Sequence, residues 1–225
     1  MTDPGEVVLQ LPFRGTWRVE NSPARRVPSH GTHLFATTYA IDFTAVRGRR
    51  TATTRDWRSL LSTEPVDRFV AFGQPVLAPA AGRVVSVHDG EPDGVARRSQ
   101  AARVPYALTQ AGRARGGAGA LAGNHVVLEL ESGGAHVVLA HLREGSLQVR
   151  PGDPVTAGQQ LAECGNSGNS TQPHVHVQAM DSADPFTARG LPLAFRDHRA
   201  WPRDGGPPVV VPLGVPAEGA VVEPV

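Results

Sequence analysis

The chain has no lysine: all 22 of its basic residues are arginine. That absence excludes Schiff-base chemistry, a lysine-tethered cofactor and the phosphate-cradling lysine of a P-loop. It has one cysteine, Cys164, so neither an intrachain disulfide nor a cysteine-built zinc cluster is available. Any zinc site must come from histidine and carboxylate. No apolar run approaches the roughly 20 residues of a membrane span. The N-terminus, MTDPGE, lacks the basic start and apolar stretch of a secretory signal, and the expectation from that alone is a chain not exported by the usual route. The formal net charge is only +1, which gives no nucleic-acid footprint. At 225 residues the chain holds one sizeable domain or two small ones.

Against those absences stands one concentrated stretch, residues 165–177, GNSGNSTQPHVHV. A polar, glycine-punctuated loop runs directly into a short strand with two histidines. On a strand, residues i and i+2 share a face, so His174 and His176 project together. Neutral imidazole is the commonest metal ligand, and the pair directs attention to where further ligands lie.

Taken in order, residues 6–20 read as extended, followed by a loop marked by Asn21, Pro23 and Pro28. That loop ends in SHGTH with His30 and His33, and then YAIDF reads as a short strand in which Asp42 alternates with Ile41 and Phe43. An aspartate there needs a partner if buried. Residues 47–64 are arginine-rich and irregular, with one helical turn expected over 56–61. Residues 72–88 give strand, Pro/Gly turn, strand. Residues 89–123 hold five arginines and no acid after Asp93; they read as a lid or insertion, with helix expected around 106–114 and a flexible glycine joint at 116–119. Strands at 124–130 and 135–142 are joined by ESGG, a hairpin signal, and two short extended pieces follow at 149–162. Beyond Asp181 a Pro/Gly-rich tail carries VVV at 209–211, either an added edge strand or a loose arm.

The polar residues at strand ends are His30, His33, Asp42, His141, His174 and His176. Two histidines, one carboxylate and a water satisfy the four-coordinate preference of catalytic zinc. The two histidines left over suit proton handling and oxyanion stabilisation. Cys164, flanked by apolar residues, reads as packing, and no nucleophile elbow surrounds Ser167 or Ser170. His88, His125, His136 and His198 read as surface or supporting residues, with His125 and His136 across one hairpin.

This motif set (histidine loop, aspartate strand, Ala140-His141-Leu142, then GNSGNSTQPHVH) resembles the lysostaphin-type, LytM-like zinc metallopeptidases, which cut peptide cross-links of bacterial peptidoglycan. The segments GQPVLAPAAGRVV at 73–85 and VRPGDPVTAGQ at 149–159 match too. The resemblance implies a mainly β fold, an antiparallel sheet domain of the duplicated-hybrid-motif kind with long insertions. It implies one Zn2+ per chain on His30, Asp42 and His176, catalytic roles for His141 and His174, and peptidoglycan peptides as substrate. Asn166, Ser167, Asn169, Ser170 and Thr171 become the wall of the substrate groove, although a plain tight turn also accounts for them. The spacing departs from familiar members, where the first histidine stands four positions before the aspartate. His30 is twelve before Asp42 and His33 nine; a longer-loop arrangement favours His30, with His33 the alternative. The division expected is 1–29 as N-terminal strands and loop, 30–185 as peptidase core with insertions at 47–68 and 89–123, and 186–225 as a C-terminal extension. The family implies the cell envelope or an extracellular location, against the cytoplasm suggested by the N-terminus. The rival function is a non-catalytic wall-binding or partner-activating module on the same fold. Lipoyl-type carrier domains share the valine-glycine turns, but they need a lysine.

Overall fold

The computed structural model describes residues 5–54, 56–99, 101 and 117–225. The expected helix around 106–114 lies outside the described residues. The strands, in chain order, are β1 (Val7–Leu9), β2 (Trp17–Glu20), β3 (Ile41–Ala45), β4 (Pro75–Leu77), β5 (Gly82–His88), β6 (Asn124–Leu130) and β7 (His136–Leu142). They continue as β8 (Pro154–Val155), β9 (Gln160–Glu163), β10 (Val175–Met180), β11 (Gly190–Leu191), β12 (Leu193–Trp201), β13 (Val209–Gly214) and β14 (Val221–Pro224). Two short α-helices, α1 (Trp57–Leu61) and α2 (Gly117–Ala122), and two 3-10 segments complete the described elements. The fold is mainly β, as the sequence implies. Among the described residues no helix is long and apolar enough to cross a membrane.

One large sheet runs β1-β12-β14-β2-β3-β10-β7-β6-β5-β8, with β11 added to β10 and β13 to β12; β4 and β9 form a separate pair. Its pairings are antiparallel except β1 with β12, which is parallel. A parallel pair needs a long connection, and here nearly the whole chain supplies it. The C-terminal segment is therefore no loose arm: β12 and β14 sit between β1 and β2, while β13 is the added edge strand.

Alternation fixes which face does what. On β3, Ile41 and Phe43 enter the main core; on β10, Val175, Val177 and Ala179 do so. Phe13 stacks on Trp17 at 4.5 Å, and Phe43 meets Phe13 and Phe195 edge-on at 5.0 and 5.4 Å. Each of these fully buried side chains contributes about 1.5–3 kcal/mol of burial free energy. The opposite face is thinner, with Val127, Val138, Ala140 and Met180 packed under Ala36. That lightly covered face carries the site.

The segments around Glu64 and 93–98 are tied together. Glu64 pairs with Ala96 through backbone hydrogen bonds, and Arg98 grips the buried Glu64 carboxylate with two, at 2.7 and 2.6 Å. Asp93 in turn accepts from the backbone N–H of Asn166 and of Glu144. The expected glycine joint is corrected: Gly117–Ala122 is helical, closed by the Gly123 N–H on the Gly119 carbonyl, with Gly123 at φ +62 just past its end. The alanines of GAGALA and a left-handed glycine terminator outweigh the two internal glycines.

Candidate active site

β3 and β10 pair with Asp42 directly opposite His176, so one antiparallel register places carboxylate and imidazole together on the thin face. His176 Nδ1 lies 2.9 Å from Asp42 Oδ1. His30 arrives from the loop before β3 with Nε2 at 3.0 Å from Asp42 Oδ2, its ring edge-on to that of His176 at 4.9 Å. One ligand atom from each of His30, Asp42 and His176 lies within 4.8 Å of the others. His33 is not brought in; it is exposed and its Nδ1 bonds the Thr38 hydroxyl at 3.1 Å. The long spacing between His30 and Asp42 is taken up by the 3-10 segment Leu34–Tyr39, which contains Phe35 and Ala36 at φ +57 and +59.

His141 reaches the site through a defect in the pleat. Val138 and Ala140 face the cleft while Leu139 and Leu142 face the core, so strict alternation would send His141 away from the site. The β6–β7 register slips, with Val126 opposite Leu139 but Asn124 opposite Leu142, and His141 takes φ +61. This extra residue is a β-bulge, which re-aims a side chain. His174, just before β10, completes the group. Its ring lies 4.6 Å from that of His141, and its Nε2 lies 3.7 Å from Asp42 Oδ1.

Each imidazole is held from behind. His30 Nδ1 is 3.0 Å from the Ser29 hydroxyl, which is also 3.3 Å from the Thr37 carbonyl; the hydroxyl donates to that carbonyl and accepts from the ring. His141 Nδ1–H donates to the Ser167 carbonyl at 2.9 Å, and His174 Nδ1–H to the Gln172 carbonyl at 2.8 Å. His141 and His174 therefore turn their Nε2 lone pairs outward. Burial pushes the His141 pKa well down, and His174 and His176 push it further, so it stays neutral. Burial would raise the Asp42 carboxyl, but the charge of His30 and His174 and hydrogen bonds from His176 and His30 hold it well below its ordinary value. Burial likewise opposes a charge on His176, yet its bond to Asp42 raises its pKa.

The donor set fits a divalent cation. Both ring nitrogens of His176 face oxygens that only accept, Asp42 Oδ1 and the amide oxygen of Gln178 at 2.9 Å. Such an arrangement is satisfied by two protons on the ring, or by a cation shared among His176 Nδ1, Asp42 and His30 Nε2. Two imidazoles and a carboxylate constitute a zinc-type set that leaves a position open.

The group opens on a cleft of about 720 Å³. Val127, Val138 and Ala140 form its floor; Phe35 and Thr37 stand on one side and Leu121 and Ala122 of α2 on the other. Of the loop residues expected to wall it, Asn169 and Thr171 line the cleft. Asn166, Ser167 and Ser170 are turned inward, because their side chains serve the backbone: Asn166 bonds the Gly94 carbonyl, Ser167 the Leu142 carbonyl and Ser170 the Gln172 carbonyl. Sequence reasoning missed Ser29, Gln178, Asn21 and α2. Asn21 donates to Asp42 Oδ2 at 2.8 Å. Gln178 was legible as the next position of the same period-two face; nothing in GAGALA marked a cleft wall.

The remaining histidines also sort themselves. His125 does not face His136: it pairs with His88, ring to ring at 5.6 Å, and it lines the cleft. His136 lies opposite Glu129, and His198 is buried rather than on the surface. Cys164 is fully buried with its thiol pKa pushed up by burial and Asp93, as packing requires.

Solved structures with a similar fold include the catalytic domain of the antimicrobial peptidase lysostaphin from Staphylococcus simulans, at 22% identity and TM-score 0.38, covering 68% of this chain and 74% of that one. A catalytic-domain mutant of the prophage-encoded M23 protein EnpA from Enterococcus faecalis gives 19% identity and TM-score 0.39, covering 68% and 73%. The deep-sea M23 metalloprotease pseudoalterin gives 14% and 0.41, covering 82% and 74%. These likenesses are too distant to assign anything on their own. The model of peptidase family M23, however, matches residues 63–188, which include His141, His174 and His176 and leave His30 and Asp42 ahead of the match. Because that match spans more than half of the 225 residues, the chain belongs to peptidase family M23.

Proposed function

We propose that this protein is a zinc-dependent endopeptidase that hydrolyses peptide bonds of bacterial peptidoglycan. The observation that carries the reading is the His30, Asp42 and His176 group lying under two further imidazoles at the floor of an open cleft. His30 Nε2, Asp42 and His176 Nδ1 would hold the ion. Bound there, zinc supplies Lewis acidity toward a carbonyl oxygen and acidifies water at neutral pH.

The chain's own residues do the rest. His141 and His174 have their Nδ1 protons committed to backbone carbonyls, so proton traffic is confined to Nε2. A neutral Nε2 accepts the proton given up by the attacking water and returns it to the departing amine nitrogen. The second imidazole, once protonated, donates to the oxygen that gains charge. Asn169 and Thr171 offer polar contacts to an extended peptide, and the small floor residues let its backbone lie close to the sheet. The site works in the cell envelope or outside the cell under this reading, because that is where peptidoglycan is met.

The test combines zinc stoichiometry by mass spectrometry with release of soluble fragments from purified peptidoglycan. Wild type is expected to hold one zinc and to degrade the wall. His176→Ala and His30→Ala lose both, while His33→Ala keeps both. A folded wild type that binds no zinc, or equal metal loss from His33→Ala and His30→Ala, overturns the assignment. Zinc binding without wall degradation favours the wall-binding module on the same fold.

A further inference from the structure

Gln178 shares a face with His176 two residues along β10 and is 4% exposed. Its amide makes three contacts of defined sense. The nitrogen donates to the Phe35 carbonyl at 2.9 Å and lies 3.1 Å from Met180 Sδ. The oxygen lies 2.9 Å from His176 Nε2. A backbone carbonyl can only accept, so the amide nitrogen belongs on the Phe35 side, and rotating the amide by half a turn would set oxygen against oxygen. With the nitrogen fixed there, the oxygen must face His176, and an amide oxygen can only accept. The proton on that edge of the ring is thereby assigned to Nε2, which leaves Nδ1 as the nitrogen aimed at Asp42 and His30.

The carbonyl doing the fixing is itself an unusual anchor. Phe35 and Ala36 are consecutive non-glycine residues in the left-handed region, a costly conformation that persists only where its surroundings hold it. Those surroundings are specific. The Ala36 carbonyl lies 2.5 Å from where a Cβ on Gly190 would stand, so only glycine fits opposite it. The Phe35 ring meets Phe186 edge-on at 5.4 Å. Phe35 also stands in the cleft wall. One buried amide thus links a cleft-wall turn to a ligand histidine.

We infer that Gln178 is a positioning residue for the metal centre: it holds His176 as the Nε2–H form with Nδ1 presented to the cation, and it fixes that hold to the Phe35 turn. The inference rests on the zinc reading above. Partners that orient a ligating histidine are worth about 10–100-fold in metal affinity.

Two variants separate orientation from simple packing. Gln178→Glu keeps an oxygen for His176 Nε2–H but cannot donate to Phe35; Gln178→Leu removes both. Zinc dissociation constants come from chelator competition, and melting temperatures are recorded on the same samples. The expected result is that Gln178→Leu weakens zinc about 10–100-fold, whereas Gln178→Glu binds within a few-fold of wild type although its melting temperature falls. A merely structural glutamine predicts that both variants lose zinc in step with stability, and that outcome overturns the inference. A second readout needs no metal. In the metal-free protein, nitrogen-15 imidazole spectra should show a bonded proton on His176 Nε2 in wild type and Gln178→Glu, and lose it in Gln178→Leu. Its absence from wild type overturns the inference whether or not zinc binds. If wild type shows that proton yet takes up no zinc, the hydrogen bond stands and the zinc reading is what fails. Should Gln178→Leu not fold, the Gln178→Glu comparison decides on both readouts.

Discussion

Gly168→Ala tests how the loop before β10 supports the cleft. Gly168 sits at φ +67, and an added Cβ would stand 2.3 Å from Gly123 N, 2.6 Å from Gly123 Cα and 2.8 Å from the Leu121 carbonyl oxygen. All three are backbone atoms, so no side chain can swing clear. Gly145 provides the control: its φ is +68, with nothing within 4 Å of its would-be Cβ. Both substitutions incur the left-handed cost of about 1–2 kcal/mol, and only Gly168→Ala adds overpacking, about 1–3 kcal/mol. At about 2–4 °C per kcal/mol for a chain of this size, Gly168→Ala should melt at least about 2 °C below Gly145→Ala. The relief available is to push residues 121–123 outward, which moves the Leu121 and Ala122 wall and strains Ser167, whose carbonyl holds His141. Peptidoglycan hydrolysis should therefore fall in Gly168→Ala and hold in Gly145→Ala, while zinc content holds in both because His30, Asp42 and His176 lie on other segments. Scanning calorimetry and metal analysis on matched samples decide it. Equal melting temperatures for the two variants would refute the close-contact reasoning.

Arg98→Ala should be costly, because it strands a Glu64 carboxylate whose side chain is 0% exposed. Removing one partner of a buried pair typically loses about 3–5 kcal/mol, and replacing both, as Arg98→Met with Glu64→Leu, should recover much of it in urea unfolding. His198 is buried, and among the described residues its Nδ1 has no hydrogen-bond partner. Burial lowers its pKa, with the Phe195 backbone and Asp197 pulling partly the other way. Folded His198 is therefore neutral where the unfolded chain, near its ordinary pKa of about 6.5, takes up a proton. Stability attributable to it is intact above that value and is lost as pH falls below it toward the folded pKa. Melting curves from pH 7.5 to pH 5.5 should drop less steeply for His198→Leu than for wild type; parallel curves would remove the assignment.

Much of this molecule is written locally. Period-two alternation marked β3, with Asp42 on the face opposite Ile41 and Phe43, and put His174 and His176 on one face, because successive strand residues point to opposite sides of a sheet. The hairpin turn at Glu131–Gly134 was equally plain. What escaped was whatever depends on distant partners. β12 and β14 are ordinary extended runs until β1 and β2 receive them, and no residue among them announces that pairing. α2 needs Gly123 against Gly168, a contact between segments 45 positions apart. Asn166, Ser167 and Ser170 look like substrate-facing polar residues in a list of letters. Their direction is set by which backbone groups need partners, and that is known only once β6 and β7 lie beside them.

The His141 bulge shows why the site itself was only half legible. Had β7 kept its alternation, His141 would face Leu139's side and its imidazole would be buried in the main core. One extra residue at positive φ inverts the face for a single position, and Leu142 then resumes the core. The cost of a left-handed histidine is borne by its bond to Ser167, whose own hydroxyl bonds the Leu142 carbonyl and accepts from the Asn124 N–H. The polar loop at 165–173 thus braces this bulge through Ser167, while Asn169 and Thr171 line the cleft. His174 and His176 come to the site by the regular period of a strand edge; His30 and His141 come by irregular backbone. This cluster needs side chains converging on one point from four segments, and a flat pleated sheet supplies only two of them without such departures.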